Sequence, residues 1–246
     1  MRFRASDVVL SLAFNVETEE FATAAGVTTA LAAEFGASAL EIRRADPEGG
    51  RIGFVADVLM SVPVGVDEPV EDALRRAVLP AAFAYRLDIG WLEFRGDPGY
   101  AELPLWQELK CDGYILYSLS AEPGGRQELR RSIFVTRPDF TPRADSDLVI
   151  RVHLRVPVAD PVRALELCGP EIAVTDASFV QIVSARAAGS PEEYCEVALL
   201  SAVPALDGED AESGVRRVRV DLVARLGEAP VELLAVRAGD DPLYED

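Results

Sequence analysis

Val8, Leu10, Leu12 and Phe14 alternate with Val9, Ser11, Ala13 and Asn15, the period-two signature of a half-buried strand. Thr18 then offers a cap, Glu19 and Glu20 suit the positive end of a helix, and Phe21, Ala24, Thr28, Leu31 and Phe35 follow helical spacing. Gly36 stands where a left-handed residue closes a helix. Leu40 and Ile42 begin a second strand, Asp46-Pro47-Glu48-Gly49-Gly50 reads as a turn, and Ile52 to Val62 alternates as a long third strand. Asp67 predicts the cap of a second helix carrying Val70, Leu74, Ala77 and Val78 on one face, which Pro80 should end or kink. Trp91, Leu92 and Phe94 read as a final strand, so residues 7–97 take the order βαββαβ.

The pattern recurs. Asp7 to Val16 matches Asp147 to Val156 at an offset of 140, and Glu41-Ile42 falls on Gln181-Ile182 at the same offset. Ser61-Val62-Pro63 resembles Ser201-Ala202-Val203-Pro204 with one residue inserted, and Leu74-Arg75-Arg76 falls on Val215-Arg216-Arg217. Asp97-Pro98-Gly99-Tyr100 likewise resembles Asp241-Pro242-Leu243-Tyr244. The repeat changes one local reading. Val215 to Leu226 alone alternates like a strand, but its place in the repeat predicts a helix with Val215, Val218 and Leu222 on one face. Gly169-Pro170 predicts a short preceding helix, about 160–167. Between the halves, Tyr114–Ser120 and Leu129–Thr136 read as a hairpin around Glu122-Pro123-Gly124-Gly125-Arg126, followed by a linker over 138–145.

Each half therefore resembles a ferredoxin-like βαββαβ unit. The expected fold is α+β: a tandem ferredoxin-like pseudo-dimer with repeats over 1–97 and 147–246 and a β-hairpin insert over 98–146. The resemblance is to a fold pattern that hosts nucleases, haem enzymes, sensors and assembly modules alike, and fold does not select among them.

Charge narrows the choice. The chain of 246 residues carries 42 acidic against 24 basic side chains, a net charge of −18. That total opposes contact with a nucleic-acid backbone or an anionic membrane. It divides as −7 over 1–97, −1 over 98–146 and −10 over 147–246, which makes the insert the least acidic part. No apolar run reaches the roughly 18 residues of a membrane-spanning helix. Met1-Arg2-Phe3-Arg4 leads directly into a strand pattern, and Cys111, Cys168 and Cys195 are too scattered for a disulfide framework, so a cytoplasmic setting is expected.

The chemical inventory is sparse. No phosphate-cradling glycine loop, HExxH, CxxC or GxSxG occurs, and one histidine with dispersed cysteines builds no ordinary zinc site, so no metal and no cofactor is expected. Lys110 lies beside Cys111 without a motif around it, and acidic pairs such as Glu209-Asp210 read as solvated loops. One constellation stands out. If Ile150, Val152 and Leu154 face the helices, Arg151, His153 and Arg155 share the opposite, open face, with Gln181, Tyr194 and Glu196 from repeat-matched strands. Two guanidiniums around an imidazole suit a carboxylate or phosphate ligand, and their charge would keep His153 neutral.

No catalytic residue is assigned by the sequence, and the expected function is a non-catalytic protein-interaction or assembly module whose partner is another protein or itself. The alternative is a binding protein or enzyme for a small anionic ligand on the open face around His153.

Overall fold

The computed structural model describes residues 3–4, 6–45, 51–96, 99–105, 108–124, 147–175, 177–186, 193–227 and 229–238. It is α+β, the strand pairs described within each unit are antiparallel, and the chain divides into two compact units, Arg2–Arg130 and Arg131–Asp246. The predicted turn at 46–50, the strand at 129–136, the linker at 138–145 and the motifs around Asp97-Pro98 and Asp241-Pro242 lie wholly or partly outside the described residues.

In the first unit β1 (Asp7–Val16), α1 (Phe21–Phe35), β2 (Ala39–Arg44), β3 (Phe54–Pro63) and α2 (Val70–Ala84) follow the predicted order. The sheet then departs from expectation. Residues Ile89–Trp91 form a 3-10 turn, and among the described residues β4 (Glu93–Arg95) pairs only with β5 (Tyr100–Leu103). The strand beside β1 is β7 (Ile115–Pro123), which also carries β5 and β6 (Leu109–Lys110), giving the order β2-β3-β1-β7-β5-β4. So part of the expected insert completes the first unit, whereas Trp91 to Phe94 does not. Length explains the exchange. A strand beside the ten-residue β1 must cover it, and β7 does so over nine residues with Leu116, Leu119 and Ala121 buried, where β4 has three.

The second unit contains β8 (Asp147–Val156), α3 (Pro161–Thr175), β9 (Ala177–Arg186), β10 (Glu193–Pro204), α4 (Ala211–Leu226) and β11 (Glu232–Ala238), with sheet order β9-β10-β8-β11. Val215 to Leu226 is helical, as the repeat requires and local alternation does not. Helix α3 runs past Gly169-Pro170, and α2 past Pro80. Both prolines are exposed, so the carbonyl that each leaves unbonded one turn earlier lies on the outward side. Beyond them Ala81, Ala82 and Ile172 are buried, and that packing carries each helix onward.

The two units share their registers. Asp7 opposes Pro63 as Asp147 opposes Pro204, and Val16 opposes Phe54 as Val156 opposes Cys195. A bulge falls at the same point of each last strand: Tyr117 is the extra residue between the partners of Ala13 and Phe14, and Leu234 the extra residue between those of His153 and Leu154.

The turn into the second helix is also held alike in both. Glu68 accepts from Gly65 N at 2.7 Å and from Arg76 Nε and Nη2 at 2.9 and 2.8 Å, while Arg76 donates to Pro63 O at 2.7 Å. Glu209 accepts from Leu206 N at 3.0 Å and from Arg217 Nε and Nη2 at 2.8 and 2.8 Å, and Arg217 donates to Pro204 O at 3.0 Å. These hydrogen bonds, from the arginine first and the backbone second, lower both carboxyls to about 2. The expectation that Glu209-Asp210 is merely solvated is thereby corrected, since Asp210 also caps α4 by accepting from Ser213 N at 2.8 Å.

One backbone position distinguishes the two turns. Gly208 has φ 74°, and its counterpart Asp67 has φ 61° instead of capping α2, which starts at Val70. Left-handed backbone strains a residue with a Cβ. Asp67→Gly is expected to stabilise the chain by about 0.5–1 kcal/mol in urea unfolding; a loss of stability would show that the Asp67 side chain contributes more than its backbone costs.

Candidate functional site

The alternation of β8 sets one face by sequence alone. Ile150, Val152, Leu154 and Val156 are fully buried on one side, and Arg151, His153 and Arg155 lie on the other. Pairing brings the remaining candidates onto that second face: Glu196 opposes Arg155, Ala198 lies between His153 and Gln181, and Tyr194 is two residues from Glu196. The predicted face thus exists as a set of neighbours.

It is not open. Arg151 is 3% exposed and His153 4%, and Phe179, Gln181, Val183, Ala185, Ala198 and Leu200 on the same face are buried too. The physical reason was present in the sequence. Phe179-Val180-Gln181-Ile182-Val183 and Val197-Ala198-Leu199-Leu200 are nearly continuous apolar runs, the mark of a strand covered on both sides.

The Arg155 guanidinium is held away from the imidazole. Arg155 Nη1 lies 3.3 Å from Glu232 Oε2, and its guanidinium stands 4.7 Å from the centre of the Tyr194 ring. The imidazole instead faces a carboxylate, with His153 Nε2 4.0 Å from Glu196 Oε2, and Tyr194 OH reaches Glu196 Oε1 at 3.5 Å. Burial lowers the His153 pKa; Glu196 opposes that shift and Arg155 adds to it. The group is a neutral imidazole beside a carboxylate, chemically a base, yet closed to bulk solvent.

The corresponding face of the first unit, where Ser11, Ala13 and Asn15 match Arg151, His153 and Arg155, is also polar and covered. Ser11, Asn15, Glu41 and Ser120 are buried there. Arg43 Nη1 bridges Glu41 Oε1 at 3.0 Å and Asp57 Oδ2 at 2.8 Å, and these carboxylates hold its guanidinium firmly charged against the cost of burial. Arg51 stacks 3.9 Å above the Tyr117 ring, and burial, then Asp57, raises the Tyr117 phenol. The usable signal was cross-strand charge: Glu41 and Asp57 sit opposite one another in a hairpin, which like charges tolerate only around a cation.

Remaining candidates are structural. Cys168 and Cys195 are buried, and burial pushes their thiols up to about 12, so neither is a thiolate at neutral pH. Cys111 is half-buried, with Sγ 3.7 Å from Leu109 O. Tyr114 packs edge-on against Phe14 and shares a 2.9 Å hydrogen bond with Tyr85 OH. Trp91 is exposed, and Trp106 lies outside the described residues. Among the described residues no group of three or more His, Cys, Asp or Glu side chains is placed to hold a metal ion, and no helix is long and apolar enough to cross a membrane.

No protein-family model and no curated protein matches the chain. Among solved structures it is similar to an aspartate kinase from Synechocystis, at 14% identity and a TM-score of 0.25. The alignment covers 96% of this chain and 45% of that one, so the chain spans less than half the kinase's length. A likeness at this level bears on neither fold family nor function.

The buried histidine makes stability depend on pH in a defined direction. Its folded pKa lies below the ordinary 6.5, so the unfolded chain takes up the proton first and stability falls as pH drops through 6.5. Urea unfolding between about pH 7 and about pH 5 should show this slope, and His153→Gln should remove its share. An unchanged slope in the variant would mean that His153 titrates as it does in water.

Proposed function

We propose that the chain is a non-catalytic protein-interaction or assembly module made of two ferredoxin-like units, working in the cytoplasm. Support for the duplicated fold comes from the shared registers, the matched bulges and the two Glu–Arg turns. Support for the interaction reading rests on one observation. Phe83 is 89% exposed and Leu79, one turn earlier, 46% exposed, together on the outward side of α2. Adjacent large apolar side chains offered to water on a well-formed helix suit a docking surface better than a solvated face. The polar side chains that would otherwise suggest chemistry are engaged within the chain: Arg155 pairs with Glu232 at the surface, Arg43 with Glu41 and Asp57, and His153 lies beneath a covered sheet face.

A second reading, the binding of a small anion, is favoured by the buried guanidinium of Arg151 two residues from neutral His153. Two measurements separate the readings. Light scattering over a concentration series should show self-association or a stoichiometric co-purifying protein; a strictly monomeric chain with no protein partner contradicts the interaction reading. Thermal shifts by carboxylate or phosphate compounds that vanish in Arg151→Ala and His153→Ala would replace it with the ligand reading.

A further inference from the structure

We propose that the outer edge of β11 pairs with the same edge of a second copy of this chain, two antiparallel strands meeting across a two-fold axis so that Glu232 faces the other copy's Arg237 and Leu233 its Val236. This goes beyond the interaction reading, because it names a second surface, apart from Leu79 and Phe83, and the occupant of that surface.

The two units treat the edge of their last strand differently. β7 pairs with β1 along one edge, and its other edge is filled twice. β6 pairs Leu109 and Lys110 with Leu116 and Ile115, and β5 pairs Ala101, Glu102 and Leu103 with Ala121, Ser120 and Leu119. The bulge residue Tyr117 lies between these two pairings. β11 is the matching strand: Leu116 opposes Phe14 as Leu233 opposes Leu154, and Leu119 opposes Leu12 as Val236 opposes Val152. It pairs with β8 along one edge, and among the described residues no strand takes the other. The places that β6 and β5 fill in the first unit are therefore Glu232–Leu233 and Val236–Ala238 in the second.

A row of backbone N–H and C=O groups along such an edge is a template for another strand. Proteins blunt these rows by shortness, charge or proline. β4, which ends the sheet order of the first unit, has three residues, of which Glu93 and Arg95 are charged. β11 has seven, with no proline and with Leu233, Leu234, Ala235 and Val236 in succession.

The order of side chains along β11 selects a second copy as the occupant. Glu232 opposes Arg155 and Arg237 opposes Arg151, so both lie on the side away from the helices, while Leu233 and Val236 oppose Leu154 and Val152 on the helix side. Glu232 and Arg237 are five residues apart and would point to opposite faces of a regular strand; the extra residue Leu234 brings them to one face. Outward from the bulge the strand thus reads apolar then acidic in one direction and apolar then basic in the other. Turned by half a revolution about an axis through the bulge and normal to the sheet, it meets itself with Val236 on Leu233 and Arg237 on Glu232, twice. A register that sets Glu232 or Arg237 against itself brings like charges together. The position of the charges decides this, not their sum: Arg155 already lies 3.3 Å from Glu232, whose side chain is still 61% exposed, so the incoming Arg237 makes that carboxylate the bridge between two guanidiniums.

Sedimentation of the full chain across a concentration series tests this with two charge reversals, Arg237→Glu and Glu232→Arg. The wild type should dimerise, and its amide exchange across residues 232–238 should slow as concentration rises. Either reversal alone sets like charges opposite one another at both ends of the strand pair and should weaken the dimer about tenfold. An equimolar mixture of the two variants should recover most of the association, because every acid then meets a base. A dimer that both reversals leave unchanged, or whose exchange across 232–238 does not depend on concentration, overturns the β11 edge and leaves the interaction reading standing. A chain that stays monomeric at every concentration overturns the second copy as partner, and the interaction reading then depends on a co-purifying protein.

Discussion

Both faces of the central strands β1 and β8 are covered, and this constraint governs what the rest of each unit must supply. Val8, Leu10, Leu12 and Phe14 pack on the helix side of β1, yet Val9, Ser11, Ala13 and Asn15 are buried as well. In β8, Ile150 and Leu154 have Arg151 and His153 as their buried neighbours. A strand buried on two sides cannot slip by one residue without moving an apolar set onto polar neighbours, so its register is strongly specified. A buried polar side chain on such a strand must also be hydrogen-bonded or lose its charge. Asn15 donates from Nδ2 to Ile52 O at 3.1 Å, and His153 stays neutral.

Within that constraint the units keep their backbone geometry and change their chemistry. The Glu–Arg arrangement before the second helix is retained group for group: a carboxylate gathers a loop N–H and two guanidinium N–H groups, while the same guanidinium holds a proline carbonyl. The carboxylate is largely shielded in both turns, and the bidentate geometry aims the chain into the helix. Where side chains face the covered side of the sheet, correspondence ends. Ser11, Ala13 and Asn15 stand at the positions of Arg151, His153 and Arg155, and Glu41 at that of Gln181. Each face carries its own ion pairs, Arg43 with Glu41 and Asp57 in one and Arg155 with Glu232 in the other.

Much of the architecture was legible because it depends on periodicity. Strands β1, β3 and β8, helix α1 and its closing Gly36 at φ 66° follow directly from apolar spacing and glycine chemistry. Helix α4 was legible only through the repeat, since its valines and arginines alternate like a strand. What failed were inferences from single residues. Gly169-Pro170 reads as a terminator and Pro80 as a terminator or kink, but neither ends its helix, because exposed prolines let a helix run on when buried side chains follow them. Trp91 to Phe94 was read as the last strand because it is apolar, although length along β1 decides that place. The candidate face was read as neighbours correctly and as open wrongly. Alternation tells which side chains share a face, whereas openness depends on whether that face also carries Phe179, Val183 and Leu200. The Glu68–Arg76 pairing is an eight-residue spacing outside any local motif, visible only when Glu209 and Arg217 are set beside it.

The claim on which the account rests is that the side of β8 away from the helices is closed, and His153, the one histidine of the chain, reports on it. Acylation of the imidazole by diethylpyrocarbonate, followed at that residue by peptide mass, measures closure directly. The account predicts that His153 is protected in the folded chain and reacts once the chain is unfolded in denaturant. Reaction in the folded chain at the rate of a free histidine would contradict it and restore an open face around Arg151 and His153.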